Sequence, residues 1–334
     1  MQKLRMVTFL LLLCTASLVS CVPISAVRSG TAQQLDQATI REAHDQLIGV
    51  TGMYSARERV VNFQSQGQKV MGTLTLPEGS DTPYPFVLLL HGFTDTRDIA
   101  ITGPQDGMFT RTAHTLAEYG IASLRIDFRG SGESEGKWED TTFTSQIADA
   151  IAALDYLTTL PEVDQQRLGL IGISQGGLIA AETAARDHRV QTVVLWSPLA
   201  NPPDTFKLIL GDENVAAGLQ SEGKSVHSKL PWGAETDLKT PFFADLYNFD
   251  PIAAISRVKQ PLLVVVGLQD TIVTPQPHYG QLYLNYHEGR ELLVTVNGDH
   301  IFDVMANHGP ALFDDVIAWS LAWLQETLPP SVTK

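Results

Sequence analysis

The sequence predicts an α/β fold in which a mostly parallel, eight-stranded sheet is flanked by helices. Short runs rich in Val, Ile and Leu recur along the 334 residues, and segments of helical character separate most of them. Such runs are typical of parallel strands that are buried on both faces. The strand candidates are residues 59–65, 69–76, 86–90, 121–126, 168–173, 192–196, 262–267 and 291–296.

The first two strand candidates stand apart because only Gln66, Gly67 and Gln68 join them. A connection this short predicts an antiparallel hairpin at the start of the sheet. From the third strand candidate onward the pattern is an alternation of strand and helix. The predicted helices lie near residues 108–119, 143–159, 176–186, 276–285 and 310–327.

Ser174 lies in a Gly-x-Ser-x-Gly pattern with Gly172 and Gly176 on either side. The apolar run 168–173 precedes it, and helix-forming residues follow. Strand, tight turn and helix in this order are the context of a nucleophile elbow, in which the serine hydroxyl projects from the end of the sheet. We therefore predict that Ser174 is a nucleophile. The alternative is a Gly/Ser turn that only packs the helix against the strand.

A serine hydroxyl becomes nucleophilic when a base takes its proton, and the base needs an acid to orient it. Asp270 and His300 occur in the chain order that a nucleophile elbow requires, and each comes soon after an apolar strand candidate. Parallel strands bring their carboxyl ends to one edge of a sheet. We therefore expect Asp270 and His300 to lie near Ser174 as its acid and base.

Other residues compete for these two roles. His308 is the closest rival to His300, but it falls at the start of the last predicted helix. His278 and His287 flank the helix after Asp270 and are interpreted as surface residues. The rival acids, Asp299 and Asp303, are sequence neighbours of His300, and an adjacent carboxylate does not easily reach the far side of the imidazole ring.

If Ser174 attacks a carbonyl, two N–H donors are needed for the negative charge that develops on its oxygen. The backbone N–H of Gln175, directly after the serine, is one candidate. The second is expected from the segment His91-Gly92-Phe93-Thr94, which follows the third strand candidate. Here Gly92 allows a close approach of the backbone, and His91 is interpreted as a brace for the loop.

The chain resembles the α/β-hydrolases, and within them the serine esterases of the feruloyl/cinnamoyl esterase and serine aminopeptidase-like group. The resemblance extends from about residue 58 to residue 326 and is specific to the fold, not to a substrate. By this resemblance the second oxyanion donor is the N–H of Phe93. Four motifs carry the likeness: the segment 91–93, the segment 127–134 (Asp-Phe-Arg-Gly-Ser-Gly-Glu-Ser), the pattern around Ser174, and the pair Asp270 and His300.

The glycine-containing segment 127–134 does not have the spacing of a phosphate-binding loop, and its two acids, Asp127 and Glu133, would repel phosphate. In the resembling family this loop is structural, and its Asp and Arg, here Asp127 and Arg129, hold neighbouring loops in place. No cofactor is implied. The His, Asp and Glu residues lack metal-ligand spacing, so no metal site is predicted. A formal net charge of −14 and the lack of a basic stripe argue against a nucleic-acid partner.

Residues 198–255 interrupt the alternation of strand and helix with repeated Pro and Gly. Because α/β-hydrolases commonly take insertions here, we interpret this stretch as a cap after the sixth strand, within a hydrolase domain spanning 56–330. Its aromatic residues, such as Phe206, Phe242 and Phe249, have two possible roles. They line an acyl or aryl pocket, or they form the cap's own small core.

The first 20 residues resemble a secretory signal peptide of the lipoprotein type. A short basic region precedes an apolar stretch, and Leu18-Val19-Ser20-Cys21 resembles the lipobox at which bacterial lipoproteins are cut and lipidated. Cys21 is then the lipidation site, and residues 21–55 are a tether. An ordinary cleaved signal and an uncleaved anchor are the alternatives. The prediction is an exported bacterial protein, lipid-anchored to a cell membrane or outer membrane.

Together these features predict a serine esterase that cleaves small acyl or aryl carboxylic esters through Ser174, His300 and Asp270. A serine peptidase of the aminopeptidase type is the first alternative, although no acid pair for a substrate ammonium is evident. The second is a catalytically idle, lipid-anchored binding protein on the same fold. A small-molecule ester is the expected partner, and the sequence does not indicate an oligomeric state.

Overall fold

The computed structural model of the protein describes residues 52–79, 83–99, 107–306 and 310–328. An eight-stranded sheet forms its centre, as predicted, in the order β1-β2-β4-β3-β5-β6-β9-β10. Its strands are β1 (Ser55–Ser65), β2 (Gln68–Glu78), β3 (Tyr84–Leu90), β4 (Ala122–Ile126), β5 (Val163–Ile173), β6 (Val190–Trp196), β9 (Leu262–Gly267) and β10 (Glu291–Val296); a separate ribbon contains β7 (Val226–Lys229) and β8 (Glu235–Leu238).

Strands β1 and β2 form the predicted antiparallel hairpin, and β2 also pairs antiparallel with β4. The remaining neighbours in the sheet are all parallel. Strand β5 begins at Val163, whereas the sequence predicts a start at residue 168. The first part of the strand contains polar, exposed residues and therefore lacks the apolar pattern of a buried strand. The carboxyl ends of β3, β4, β5, β6, β9 and β10 therefore lie at one edge, which we call the site edge.

Helices cover both faces of the sheet because successive side chains of each strand point to opposite sides. In β3, for example, Leu88 and Leu90 belong to one buried cluster, and Val87 and Leu89 belong to the other. The first face carries α2 (Phe143–Leu157), α3 (Gln175–Ala184) and α8 (His278–Tyr286), and the second carries α1 (Met108–Glu118) and α9 (Ala311–Thr327).

The insertion after β6 contains α4 (Pro202–Leu210), α5 (Asp212–Gln220), α6 (Thr240–Asn248) and α7 (Pro251–Ile255), with the β7–β8 ribbon between α5 and α6. Its aromatic residues Phe206, Phe242 and Phe243 are at most 1% exposed. The cap therefore has an apolar core of its own, and this core is continuous with the α2, α3 and α8 side of the sheet.

Within the four described ranges, no helix combines the length and the apolar character needed to cross a bilayer. The signal segment and Cys21 lie outside the described residues, as does most of the 21–55 stretch. At the end of that stretch, the N–H of Met53 donates to the carbonyl of Glu118 (2.9 Å), and β1 begins at Ser55. Strand β1 thus begins one residue before residue 56, the predicted start of the hydrolase domain.

Candidate active site

Ser174 lies on the turn between β5 and α3, with φ 55° and ψ −120°. A non-glycine residue at positive φ is strained and is held there by its surroundings. The two flanking glycines make this turn possible. A Cβ on Gly172 would lie 2.2 Å from the carbonyl oxygen of Gly176, and one on Gly176 would lie 2.0 Å from that of Leu90. Any side chain at either position would collide with backbone.

The turn is also held by backbone hydrogen bonds. The N–H of Ser174 donates to the carbonyl of Trp196 at the end of β6 (2.9 Å), and the Ser174 carbonyl accepts from Leu199 (3.0 Å). Between Leu168 and Ala184, Ser174 is the one residue that is not buried. The fold therefore exposes this side chain while fixing its backbone, as a nucleophile elbow requires.

Asp270 and His300 are brought together from the loops after β9 and β10. His300 Nδ1 lies 2.7 Å from Asp270 Oδ2. The Asp270 side chain is fully buried, and that of His300 is 15% exposed. The other carboxylate oxygen, Oδ1, accepts the backbone N–H groups of Ile272 (2.8 Å) and Val273 (2.9 Å). These two bonds fix the carboxylate so that Oδ2 faces the imidazole.

The hydrogen bond assigns the tautomer of His300. An ionised carboxylate only accepts, so Nδ1 carries the proton and Nε2 presents a lone pair. Among the described residues, neither His300 Nε2 nor Ser174 Oγ has a hydrogen-bond partner, and no hydrogen bond joins the two atoms. Serine–histidine hydrogen bonds are often long without substrate and tighten when it binds.

The rival residues have other partners. Asp299 Oδ1 accepts the N–H groups of Ile301 (2.9 Å) and Asp303 (2.8 Å), and Asp303 Oδ1 accepts that of Asp299 (2.9 Å). Both acids therefore hold the turn that carries His300. The ring of His287 is buried, not on the surface as interpreted from the sequence, because it lies between Glu291 and the carbonyl of Gln260.

Of the remaining rivals, His278 opens α8, and His308 lies outside the described residues. In the part of the chain that the structure describes, no group of three or more His, Cys, Asp or Glu side chains is arranged to hold a metal ion.

The two candidate oxyanion donors flank the serine. Gln175 begins α3 directly after Ser174, and the loop that carries Phe93 passes close by, because a Cβ on Gly92 would lie 3.5 Å from Ser174 Cβ. Within the described residues, neither the Gln175 N–H nor the Phe93 N–H donates to a protein acceptor. Both groups are thus available to a ligand at the site edge.

The ring of Phe93 packs into the cap. It is 8% exposed, and its centroid lies 5.0 Å from that of Phe206, 5.5 Å from that of Trp138 and 5.7 Å from that of Phe242. Of the cap aromatics named in the sequence, Phe249 is only partly buried and packs against Phe143 (6.0 Å between ring centroids), whereas the other two contact Phe93. Phe206 and Phe242 form the cap core and, through Phe93, support the loop beside the serine.

His91 holds this loop from inside the protein. Its Nε2 accepts the N–H of Phe128 (3.2 Å), so its Nδ1 carries the proton and donates to the carbonyl of Gly92 (2.8 Å). Complete burial lowers the pKa of His91 to about 4, which keeps the ring neutral. The interpretation of His91 as a brace agrees with this geometry.

The segment 127–134 also has a supporting role. Asp127 accepts the backbone N–H of Arg97 (2.7 Å), the Arg97 guanidinium and the N–H of Glu133 (3.0 Å). Arg129 donates through Nε to Asp149 Oδ1 (2.5 Å), inside the protein. The two residues hold neighbouring loops, as the resemblance implied.

Two features of the site edge were not found from the sequence. The Gln175 side chain donates to Gln146 Oε1 (2.7 Å), and Gln146 donates to Thr141 (3.0 Å), which fixes the start of α3. The second is Asp95, which lies beside Ser174 in the loop after β3. Asp95 could have been found from its position three residues after Gly92, because the loop that contains both residues is expected from the sequence to approach the serine.

Comparisons with known proteins agree with this architecture. A sequence profile of the alpha/beta hydrolase fold matches residues 85–230. The esterase EstD of Thermotoga maritima is 31% identical over 233 residues, which are 66% of this chain and 54% of EstD. The quorum-quenching protein AidA of Acinetobacter baumannii is 30% identical over 249 residues, 64% of this chain and 78% of AidA.

Among solved structures, Est1E from Butyrivibrio proteoclasticus with bound ferulic acid matches 81% of this chain and 100% of its own, with a TM-score of 0.65 and 23% identity. At that identity the likeness concerns the fold. The chain belongs to the α/β-hydrolase superfamily. With an esterase among its relatives, it is a hydrolase.

Proposed function

We propose that this hydrolase cleaves carboxylic esters through a covalent acyl-enzyme on Ser174. The observation that carries the proposal is the pairing of Asp270 with His300 at the same sheet edge as a strained, partly exposed serine. A nucleophile on an elbow, an imidazole with a free Nε2 and a buried orienting carboxylate are the parts of this chemistry.

The proposed reaction has two steps. His300 Nε2 takes the proton of Ser174 as Oγ attacks the ester carbonyl, and the N–H groups of Gln175 and Phe93 stabilise the oxyanion. His300 then gives the proton to the departing alcohol. A water molecule, activated by the same nitrogen, attacks the acyl-enzyme and releases the acid, while Asp270 keeps the ring oriented throughout.

Small acyl or aryl esters are the proposed substrates. The esterase EstD and the ferulate-binding Est1E support this choice, as does the aromatic cap core beside Phe93. The sequence does not indicate an acid pair of the aminopeptidase type, so the esterase is the preferred function.

The test is Ser174→Ala with p-nitrophenyl acetate as substrate. The turnover number should fall by roughly 10³-fold or more. A fluorophosphonate probe should label the wild-type protein and not the variant. Retained turnover, or absence of labelling in the wild type, would remove Ser174 from its proposed role.

We also propose that the protein is exported and anchored through a lipid on Cys21. The support is the basic, apolar and lipobox-like order of residues 1–21. Cys21→Ser should abolish incorporation of a clickable fatty acid and release the protein from the membrane fraction. Equal labelling of both proteins would contradict the anchor.

A further inference from the structure

Asp95 places a carboxylate directly beside the candidate nucleophile. An ideal Cβ on Gly92 would lie 3.2 Å from Asp95 Oδ2 and 3.5 Å from Ser174 Cβ, so both atoms face the same small space. His300 lies within electrostatic reach of Asp95. Asp95 therefore lies close to Ser174 and within the electrostatic reach of His300, without being one of the three proposed catalytic side chains.

The charged residues that follow Asp95 in its loop are committed elsewhere. Arg97 donates through Nε to Thr73 (3.1 Å), and its terminal nitrogens bind Asp127 and Glu133. Asp98 accepts from Arg125 Nε (2.9 Å). The Arg97 guanidinium is therefore not left to neutralise Asp95, and Asp98 is itself an acid that cannot.

Among the described residues, no group donates a hydrogen bond to the Asp95 carboxylate, although the residue is half-buried. Burial raises the pKa of Asp95 to about 6, against the opposing effect of His300. Near neutral pH the carboxylate is therefore mostly ionised, and it is unpaired. An unpaired, partly desolvated charge destabilises the protein until something neutralises it.

The position of this charge also affects the proposed reaction. Negative charge develops on the carbonyl oxygen during attack by Ser174, and a nearby carboxylate opposes it. A substrate that carries a positive group close to the scissile ester would pair with Asp95 and remove this penalty. Charge-assisted hydrogen bonds of an ammonium with a carboxylate are among the strong ones in proteins.

We propose that Asp95 is a specificity residue that selects esters bearing an ammonium group close to the scissile carbonyl. This inference rests on the proposed esterase function and names a substrate class for that same site. The ammonium is held by Oδ2 of Asp95, which lies on the Ser174 side of the loop. The position of Asp95 beside Ser174 does not favour one part of the ester, so the cation is tested on both the acyl part and the alcohol part.

The experiment compares two pairs of nearly isosteric esters near neutral pH. In the acyl pair, methyl 3-aminopropionate is compared with methyl butanoate. In the alcohol pair, 2-(dimethylamino)ethyl butyrate, which is protonated near neutral pH, is compared with 3-methylbutyl butyrate. The wild type should prefer the cationic member of at least one pair. Asp95→Asn and Asp95→Ala should lower that preference, measured as a ratio of kcat/KM values, by roughly tenfold or more.

Glu288→Gln is the matched control because it removes one exposed carboxylate before β10, at the opposite end of the strand from His300. It should leave both ratios unchanged. The Ala variant covers the case in which the Asn amide oxygen still accepts from the ammonium. Thermal unfolding verifies that the variants are folded.

The outcomes separate the two proposals. If the wild type hydrolyses the neutral esters through Ser174 but the Asp95 variants leave both ratios unchanged, the specificity role is wrong and the esterase function stands. If no ester of either pair is hydrolysed in a Ser174-dependent way, the esterase function fails, and the inference fails with it.

Discussion

Two polar clusters lie beyond the carboxyl ends of the parallel strands, and they differ in how completely their groups are paired. In the bracing cluster, after β4, Asp127 binds three donors and Arg129 binds Asp149 and the Ser145 carbonyl. The site cluster is formed by Ser174, Asp270, His300 and Asp95. Of its side-chain polar atoms, only the two Asp270 oxygens and His300 Nδ1 have hydrogen-bond partners within the described residues.

The difference shows what each cluster is for. Segment 127–134 is as conspicuous in the sequence as the Gly-x-Ser-x-Gly pattern, and both follow a buried strand. Polar groups that all have partners stabilise a fold but leave nothing for a substrate, whereas the site cluster keeps unpaired groups beside a partly exposed serine. Three substitutions test this contrast.

The largest effect is expected from Asp270→Asn, which alters the paired half of the site cluster. The amide oxygen can still accept from Ile272 and Val273, so the loop should keep its shape. The amide N–H₂ cannot accept from Nδ1, and the imidazole then takes the wrong tautomer. We expect kcat for p-nitrophenyl acetate to fall by roughly 10³- to 10⁴-fold with little change in Tm. A variant that unfolds at much lower temperature would mean that Asp270 acts mainly as a brace.

Arg129→Met should lower the stability of the protein and leave kcat nearly unchanged, which is the opposite of the effect expected from Asp270→Asn. It leaves the buried carboxylate of Asp149 without its cation, which typically costs about 3–5 kcal/mol in the free energy of unfolding. Urea unfolding measures this loss, and kcat per labelled active site should stay close to the wild-type value. Arg59→Met is the control, since Arg59 pairs with Glu162 on the surface at 3.7 Å and should cost about 1 kcal/mol or less.

The smallest effect, with reversed sign, is expected from Asp95→Asn. The pKa of Asp95 is raised from 3.8 to about 6, so the folded protein binds this proton more tightly than the unfolded chain. Protonation of Asp95 therefore stabilises the folded protein, and this contribution is lost as the pH rises from about 3.8 through about 6. Asn does not ionise, so at neutral pH the variant should be more stable by about 1–3 kcal/mol.

Denaturant unfolding over a pH series checks the sign. The advantage of the Asp95 variant should shrink as the pH falls below about 6 and vanish below about 3.8. A constant difference across the series would show that Asp95 does not titrate as its surroundings imply.

Much of the fold follows from local patterns in the sequence. Buried parallel strands are continuous apolar runs, so the ends of β9 and β10 were predicted at the residues where they occur. The contact between Asp270 and His300 was expected because both follow such strands. Their shared edge is a property of parallel sheets and not of either residue.

The remaining parts depend on distant contacts or on weak signals. The cap helices are short and give weak sequence signals. Two of them, α4 and α7, begin at Pro202 and Pro251, and the residues before these prolines, Asn201 and Asp250, cap the helices in the structure. The contact of Gln146 with Gln175 joins residues 29 apart on separate helices. Asp95 lacks a partner because Arg97 binds residues elsewhere, and these contacts between distant residues exist only in the folded chain.

The seating of Phe93 links the cap to the rate of the reaction. Its amide is a proposed oxyanion donor, while its ring is enclosed by Phe206, Phe242 and Trp138. If the cap is changed to admit a bulkier ester, the new side chains must still pack around this ring. Otherwise the Phe93 N–H will no longer be oriented toward the oxyanion. Altered cap variants should therefore be judged first by turnover, since a loss of oxyanion support lowers kcat even when the new ester binds well.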